Sequence, residues 1–305
     1  MGEIAGGING EAVAQMRIDE ILEAMTPRCP VLIAGPTASG KSALALEVVR
    51  RGGGVIINAD ALQVFADWQI LTARPGAEDL AQAEHLLYGH VPGSRAYSVG
   101  AWLRDIAPLL SGGARPVIVG GTGLYFSALT EGLAEIPPVP AEVSAEAEGL
   151  TLEEMVAALG EDVRGRIDLR NPMRVRRAWE VERATGRSIA AWQDETPPPL
   201  LPLDACLPIC VEAPVDWLNP RIERRFDMMV EAGLWEEVRR NAPGWSPALP
   251  SAKAIGAGAL IAEALGEAPE GSAAQEVVNG TRQYAKRQRT WFRKRMRDWN
   301  WVSLA

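Results

Sequence analysis

Short apolar runs alternate with amphipathic stretches along the chain, and their spacing sets out the elements. "VLIAG" at Val31–Gly35 predicts a buried strand, Lys41–Arg50 a helix and Val55–Asn58 a second short strand, which is the spacing of a βαβ unit. "PVIVGGT" (Pro116–Thr122) predicts another strand, and "CLPICVE" (Cys206–Glu212) returns as a strand much later, after a polar segment with helical periodicity. That order predicts an α/β fold, a parallel-sheet core interrupted by a helical insertion. Proline clusters bracket the insertion, "EIPPVP" (Glu135–Pro140) before it and "TPPPLLP" (Thr196–Pro202) after it, because proline stops helices and stiffens connections. Inside it "LEEMVAAL" and "RVRRAWEVERATG" carry helical periodicity, the second closing at Gly186. From Pro214 onward the pattern predicts several helices, "PRIERRFDMMVEAGLWEEVRR" being the clearest, and no repeat period is present. The expected organisation is an N-terminal extension over 1–26, a first part of the core over 27–136, the insertion over 137–202, and the rest of the core with C-terminal basic helices over 203–305.

Composition agrees with an ordered protein: 47% of the 305 residues are hydrophobic, enough for one large core with an insertion or two modest ones. No run of about 18 apolar residues predicts a membrane span, and the first 25 residues are acidic rather than leader-like, so a cytoplasmic protein with no membrane partner is expected. Cys29, Cys206 and Cys210 form neither a disulfide framework nor paired metal knuckles, and His85 and His90 are the only histidines. The formal net charge of −8 argues against a nucleic-acid partner only until its distribution is seen. Arg164–Arg187 holds eight basic residues against three acidic, and Arg282–Arg297 holds eight basic and no acidic, which leaves −21 for everything else. Two basic blocks in an acidic chain are the footprint of a polyanion binder with defined contact zones.

Gly35, Gly40, Lys41 and Ser42 fit the pattern G-x-x-x-x-G-K-[ST], with a strand before it and a helix after. In that setting the backbone N–H groups of Gly35, Thr37, Ala38, Ser39 and Gly40 and the positive end of the helix surround a diphosphate, and Lys41 reaches its outer oxygens. Ser42 would help hold Mg2+. Phosphate-cleaving motors carry an acidic residue at the end of a neighbouring strand, whereas here the strand ends Val119-Gly120-Gly121-Thr122. A guanine-recognition Asn-Lys-x-Asp is also missing, while a small-molecule kinase that uses ATP stays open. Asp60, in "INADALQVF" just beyond the second strand, falls where the carboxyl ends of parallel strands face a ligand crevice. That places it beside the phosphate loop, where a helix N-cap or a magnesium ligand fits.

Over most of its length the chain resembles the tRNA dimethylallyltransferases of the bacterial type. The segments that carry the resemblance are "GPTASGKS" (Gly35–Ser42), "NADALQVF" and "LTARP" (within Asn58–Pro75), "HLLYGHV" (His85–Val91), "YSVGAW" (Tyr97–Trp102), "VGGTGLYFSAL" (Val119–Leu129), "NPMRVRRAWEV" and "TGRS" (within Asn171–Ser188), "RIERRF" (Arg221–Phe226), "LPSAKAIG" (Leu249–Gly256) and "TRQYAKRQRTWFR" (Thr281–Arg293). The resemblance implies a P-loop NTPase-like core and transfer of a dimethylallyl group from dimethylallyl diphosphate to N6 of the adenosine immediately 3′ of the anticodon in tRNA. It implies Asp60 as general base with Thr122 and Arg225 in catalysis, and Thr37–Ser42, Arg225 and Arg221 on the diphosphate. Asp60, Ala61, Leu62, Gln63 and Thr122 would lie against the target adenosine, and Met173, Arg174, Val175, Arg176, Arg177, Lys253, Lys286, Arg287, Arg289 and Arg293 against the anticodon stem-loop.

The sequence departs from the family pattern at Ala61 and Phe65, where serine and tyrosine are usual, at Ala257-Gly258-Ala259, and in a short insertion. No Cys/His zinc module of the kind eukaryotic relatives append follows the last helix. Independently of any family, Arg282, Lys286, Arg289 and Arg293 recur at helical spacing and form one basic stripe suited to a phosphate backbone. Trp291 and Phe292, like Trp179 and Trp192, fit base stacking or core packing. The expectation is a monomeric tRNA-modifying enzyme, set against a small-molecule kinase, a prenyltransferase of free adenine nucleotides and a non-catalytic RNA-binding module.

Overall fold

The computed structural model describes residues 19, 20, 23, 26 and 28–304, so the extension expected over 1–26 lies almost wholly outside the described residues. The chain divides into two compact units, Met1–Ser127 with Leu201–Ala305, and Ala128–Leu200.

The larger unit is built on a six-stranded sheet whose neighbouring strands all pair in parallel: β1 (Val31–Ala34), β2 (Val55–Asn58), β3 (His85–Leu86), β4 (Pro116–Gly120), β5 (Leu207–Glu212) and β6 (Asn300–Ser303), in the order β3-β2-β4-β1-β5-β6. The runs predicted as strands form its four middle positions. Valine and isoleucine dominate them, and Val31, Ile33, Val117, Val119 and Ile209 pack against Leu44, Ala45 and Val48 of helix α1 (Lys41–Gly52). Because all strands run the same way, the segments after Ala34, Asn58, Gly120 and Glu212 emerge together at one edge of the sheet, where ligands bind in such folds. The two edge strands were not predicted: β3 has two residues, and β6 reads "NWVS", without a clear apolar alternation.

Short helices α2 (Ala77–Gln82) and α3 (Val99–Leu110) follow β2 and β3, and α4 (Gly123–Glu131) follows β4. Trp102 on α3 is fully buried, donates its indole N–H to the Asn58 carbonyl at 2.8 Å and stacks on Tyr125, with ring centroids 4.5 Å apart.

The insertion has its own core. Helices α5 (Ala141–Glu148), α6 (Leu152–Ala158), α7 (Glu161–Arg164), α8 (Pro172–Thr185) and α9 (Ile189–Asp194) enclose Met155, Leu159, Val163, Val175, Ala178, Trp179 and Ala190. Local chemistry sets the ends: Thr151 and Glu154 form a reciprocal cap on α6, Asn171 accepts from the Arg174 N–H with Pro172 at the first turn of α8, and Gly186 ends α8 at φ 67. Trp179 is therefore a core residue, while the Trp192 ring lies under the Arg187 guanidinium at 4.7 Å.

The stretch expected as one clear helix after Pro214 is two, α10 (Val215–Glu231) and α11 (Leu234–Asn241), because Gly233 adopts φ 96 and turns the chain. With α12 (Ala257–Ala264) and the long α13 (Ser272–Arg295) they enclose Leu218, Ile222, Phe226, Leu234, Val238, Leu260, Ile261, Val277 and Val278, together with Trp68 and Leu71 from the segment after β2.

Candidate active site

The loop between β1 and α1 is wound by two left-handed residues, Ala38 at φ 62 and Gly40 at φ 85, so that α1 begins with Lys41. Gly35 has no room for a side chain: a Cβ there would stand 2.8 Å from Ser39 Oγ and 3.0 Å from Val211 Cβ. Lys41 turns back and donates to the Pro36 carbonyl at 3.3 Å. Arg221 of α10 donates through Nε to the Ala38 carbonyl at 2.9 Å, which braces the strained residue, and its guanidinium lies 4.2 Å from the Trp217 ring centroid.

A cleft of about 650 Å3, counting the space open to solvent, lies beside this loop. Thr37, Lys41, Asp60, Leu62, Gln63, Arg225, Thr281 and Tyr284 contribute to its wall, together with Leu71, Ile222, Phe226, Met229, Ile255, Val277 and Val278. One cleft thus joins two cations, a carboxylate and a long apolar lining, the combination needed for a ligand with a charged head and a hydrocarbon tail. Desolvation lowers the Lys41 ammonium to about 8, opposed by the Asp60 charge and assisted by Arg225. Arg225 is likewise pulled down by burial and pushed back by Asp60.

Asp60 is held by its own strand end. Asn58, fully buried, accepts the Asp60 N–H at 2.8 Å and donates to the Asp60 and Leu87 carbonyls, each at 3.0 Å. One carboxylate oxygen accepts the Leu62 N–H at 3.0 Å, forming a local turn rather than a helix cap, and Asp60 is 9% exposed. Thr122 accepts the Ala61 N–H at 2.9 Å, and its N–H is donated to the Ala59 carbonyl, so the ends of β2 and β4 are stitched together. Gly120 permits this approach, since a Cβ there would fall 2.0 Å from the Ala59 carbonyl oxygen. Tyr284 on α13 bonds to Thr122 and Gln288, and burial raises its phenol above the usual range.

Two polar residues that sequence reading passed over complete the frame. Gln288, 5% exposed, accepts the Thr37 N–H at 2.9 Å and donates to the Gly121 carbonyl at 3.0 Å. Glu237 on α11, 1% exposed, accepts the N–H groups of Gln69, Ile70 and Leu71 at 2.7, 2.9 and 2.9 Å. Gln63 donates to the Thr72 and Ala73 carbonyls, so the segment after Asp60 is pinned at both ends. The available signal was polarity on an apolar helix face: Gln288 shares the buried stripe of Val277, Val278, Ala285 and Phe292, and Glu237 sits beside Leu234 and Val238.

The residues expected to touch RNA fall into three groups. On α13, Arg282, Lys286, Arg289 and Arg293 line one groove with Val215 and Leu218 of α10; Arg287 is exposed and its guanidinium lies 5.7 Å from the Tyr284 ring centroid. Arg282 pairs with Glu223, and Arg293 with Glu212 at 3.4 Å. Phe292 is buried in the fold, whereas Trp291 is half-buried with its ring against Gly123, where a Cβ would meet it at 2.2 Å. Lys253 is exposed on a 3-10 turn, Pro250–Lys253, anchored by the hydrogen bond from Ser251 to Asp67 at 2.7 Å. In the insertion Met173, Arg174 and Arg177 are exposed on α8, whereas Val175 lies in that unit's core and Arg176 is engaged by Glu180 at 2.8 Å and the Ser144 carbonyl at 2.9 Å. The side chain of Val175 therefore faces inward, and Arg176 is held within its own unit by hydrogen bonds and ion pairs while staying partly exposed.

For Mg2+, the described residues hold no cluster of three or more His, Cys, Asp or Glu side chains that would cage an ion. Ser42, exposed at the first turn of α1, and Asp60 supply hard oxygen donors. Such a sparse set fits a Mg2+ held mostly by substrate phosphate oxygens and water.

Taken together, the strand–loop–helix phosphate site, the strand-end carboxylate and the glycine-closed end of β4 define a phosphate-loop transferase rather than a phosphate-cleaving motor. The profile of the IPP transferase family matches residues 63–295. A protein named tRNA dimethylallyltransferase from Ruegeria sp. (strain TM1040) is 57% identical over 274 residues, covering 90% of this chain and 95% of its own length. Among solved structures, the full-length tRNA isopentenylpyrophosphate transferase of Bacillus halodurans superposes with a TM-score of 0.65 at 28% identity, covering 90% of each chain. A eukaryotic dimethylallyltransferase acting on tRNA shares the fold, with a TM-score of 0.73 at 21% identity over 90% of this chain and 73% of that one. The chain belongs to the IPP transferase family, and its fold is the P-loop NTPase-like fold of those enzymes.

Proposed function

We propose that the chain transfers the dimethylallyl group of dimethylallyl diphosphate to N6 of the adenosine immediately 3′ of the anticodon in tRNA. The observation that carries this reading is the single cleft shared by Lys41, Arg225 and Asp60 and lined beyond them by Leu71, Ile222, Phe226, Val277 and Val278. The carbon–oxygen bond to the diphosphate breaks and the N6–carbon bond forms. Loop N–H groups, Lys41 and Arg225 stabilise the charge that grows on the departing diphosphate. Arg221 acts on the same loop through the Ala38 carbonyl. Asp60 takes the proton released by N6, work suited to a carboxylate kept within reach of the amine by Asn58. Ser42 would hold Mg2+ together with the diphosphate oxygens, and the ion would supply further charge neutralisation on the leaving group. The adenosine must leave its stack to enter the cleft, and Leu62, Gln63 and Thr122 border its place beside Asp60.

In the larger unit the basic face of α13 and Lys253 are proposed contacts for the anticodon stem-loop, and in the insertion, taken by itself, the exposed α8 residues Met173, Arg174 and Arg177 are proposed contacts as well; the proposed enzyme acts as a monomer in the cytoplasm. No helix of the described residues is long and apolar enough to cross a membrane. The kinase reading loses ground because relatives across 90% of the chain are named as prenyl transferases to tRNA. Incubation of the purified protein with dimethylallyl diphosphate, Mg2+ and either an unmodified anticodon stem-loop or AMP tests the reading by nucleoside mass analysis, with a parallel incubation in ATP, Mg2+ and small-molecule acceptors followed for phosphate transfer. N6-dimethylallyl adenosine in the stem-loop alone supports it. Phosphate transfer from ATP to a small molecule, or modification of AMP in preference to RNA, refutes it.

A further inference from the structure

Gln288 stands between Arg287 and Arg289, inside a helix whose outer face is basic, yet its own side chain is 5% exposed and points into the frame of the cleft. Its carboxamide joins two loops far from it in sequence, the phosphate loop through the Thr37 N–H, 251 residues away, and the end of β4 through the Gly121 carbonyl, 167 residues away. The fit is close: a Cβ on Gly121 would fall 2.2 Å from Gln288 Nε2 and 3.1 Å from an Asp60 carboxylate oxygen. An acceptor at one end and a donor at the other are both needed, and glutamine carries both without a change of protonation, whereas a glutamate of the same length does so only when protonated.

We infer that Gln288 is a positioning residue that fixes the phosphate loop against the end of β4, so that the helix presenting Lys286, Arg289 and Arg293 to RNA also sets the geometry of the donor diphosphate site. The inference rests on the reading under Proposed function. With Thr37 engaged by Gln288, the loop's later N–H groups and Lys41 remain aimed at the anion. Asp60 and the diphosphate also keep a fixed separation, because Gln288 grips the glycine next to Thr122, whose hydroxyl holds Ala61. Loss of the bridge loosens the donor site and leaves the outer basic face intact.

The test uses the full chain and two variants, with inorganic pyrophosphate binding by calorimetry as the readout independent of turnover. Gln288→Ala is expected to keep the wild-type circular dichroism and stem-loop affinity, while pyrophosphate affinity and kcat/KM for the donor fall on the order of tenfold to a hundredfold. Gln288→Glu serves whether or not the alanine variant folds. When ionised it loses the donor to Gly121 and sets a negative charge beside the anion site; when protonated it offers one acceptor and one donor, as glutamine does. Its pyrophosphate affinity relative to wild type should therefore be poor at about pH 8 and recover towards about pH 6, the protonated form being favoured below its pKa and by burial.

Pyrophosphate affinity and donor kinetics of a folded Gln288→Ala that match wild type overturn the inference, as does a Gln288→Glu deficit that does not change with pH. A loss of stem-loop affinity alone also overturns it. Wild-type protein that neither binds pyrophosphate nor transfers a prenyl group removes the functional reading and this inference with it, whereas a wild-type enzyme active in both assays leaves the functional reading standing whatever the variants do.

Discussion

Lys41 is the cation whose charge depends most on its surroundings, since burial brings its ammonium to about 8. On the proposed function it is the protonated form that holds the diphosphate, and its fraction in the free enzyme falls as pH rises through that value. The kcat/KM for the donor should accordingly decline above about pH 8, approaching tenfold per pH unit, and Lys41→Arg should remove the inflection while lowering the maximum. A pH series of initial rates at low donor concentration checks both. Asp60→Asn keeps the size of the side chain and the acceptor for the Leu62 N–H but removes the base, so kcat should drop by about 10²–10⁴-fold with donor and stem-loop affinities retained. Unchanged kcat in that variant would remove the proton-acceptor role. Lys41 and Asp60 were legible in the sequence because their chemistry is local: a lysine after a glycine loop, a carboxylate just past a strand. Gln288 and Glu237 were not, because each gains its meaning from partners more than 165 residues away.

Among elements, the segment after β2 is tied down by side chains from distant helices rather than by regular structure. Glu237 replaces the helix or sheet partners that Gln69, Ile70 and Leu71 lack, and Asp67 ties the same segment to Ser251 and Gly93. Glu237→Ala leaves those three N–H groups in a dry interior and should destabilise the fold by about 3 kcal/mol or more, seen as a lower urea midpoint, with kcat reduced through the displaced Asp60–Gln63 turn. A midpoint equal to wild type would show that the carboxylate is dispensable. The four central strands and α1 were readable as elements because apolar runs and a glycine loop are strong local signals. β3 and β6 exist because a neighbouring strand offers its edge, information that two to four polar or mixed residues do not contain. The break at Gly233 illustrates the opposite failure, a continuous helical pattern interrupted by one left-handed residue.

At the scale of the whole molecule, a net charge of −8 conceals a chain that is strongly acidic outside its two basic blocks. The acidic remainder should repel RNA and confine it to the contact surfaces, which makes binding selective in place and sensitive to salt. Stem-loop affinity should fall steeply and log-linearly with added KCl, and Lys286→Ala should reduce that slope by about 1 unit while leaving pyrophosphate binding intact. A slope unchanged in the variant would take α13 out of the RNA interface. The Gly120-Gly121 end of β4 has a last effect on how the enzyme lives among nucleotides. Packed against Ala59 and Gln288, it admits no side chain of the kind motors use to hold the ion that drives hydrolysis. ATP that enters the phosphate loop should therefore be released unhydrolysed, with dimethylallyl diphosphate competing for the same anion cradle.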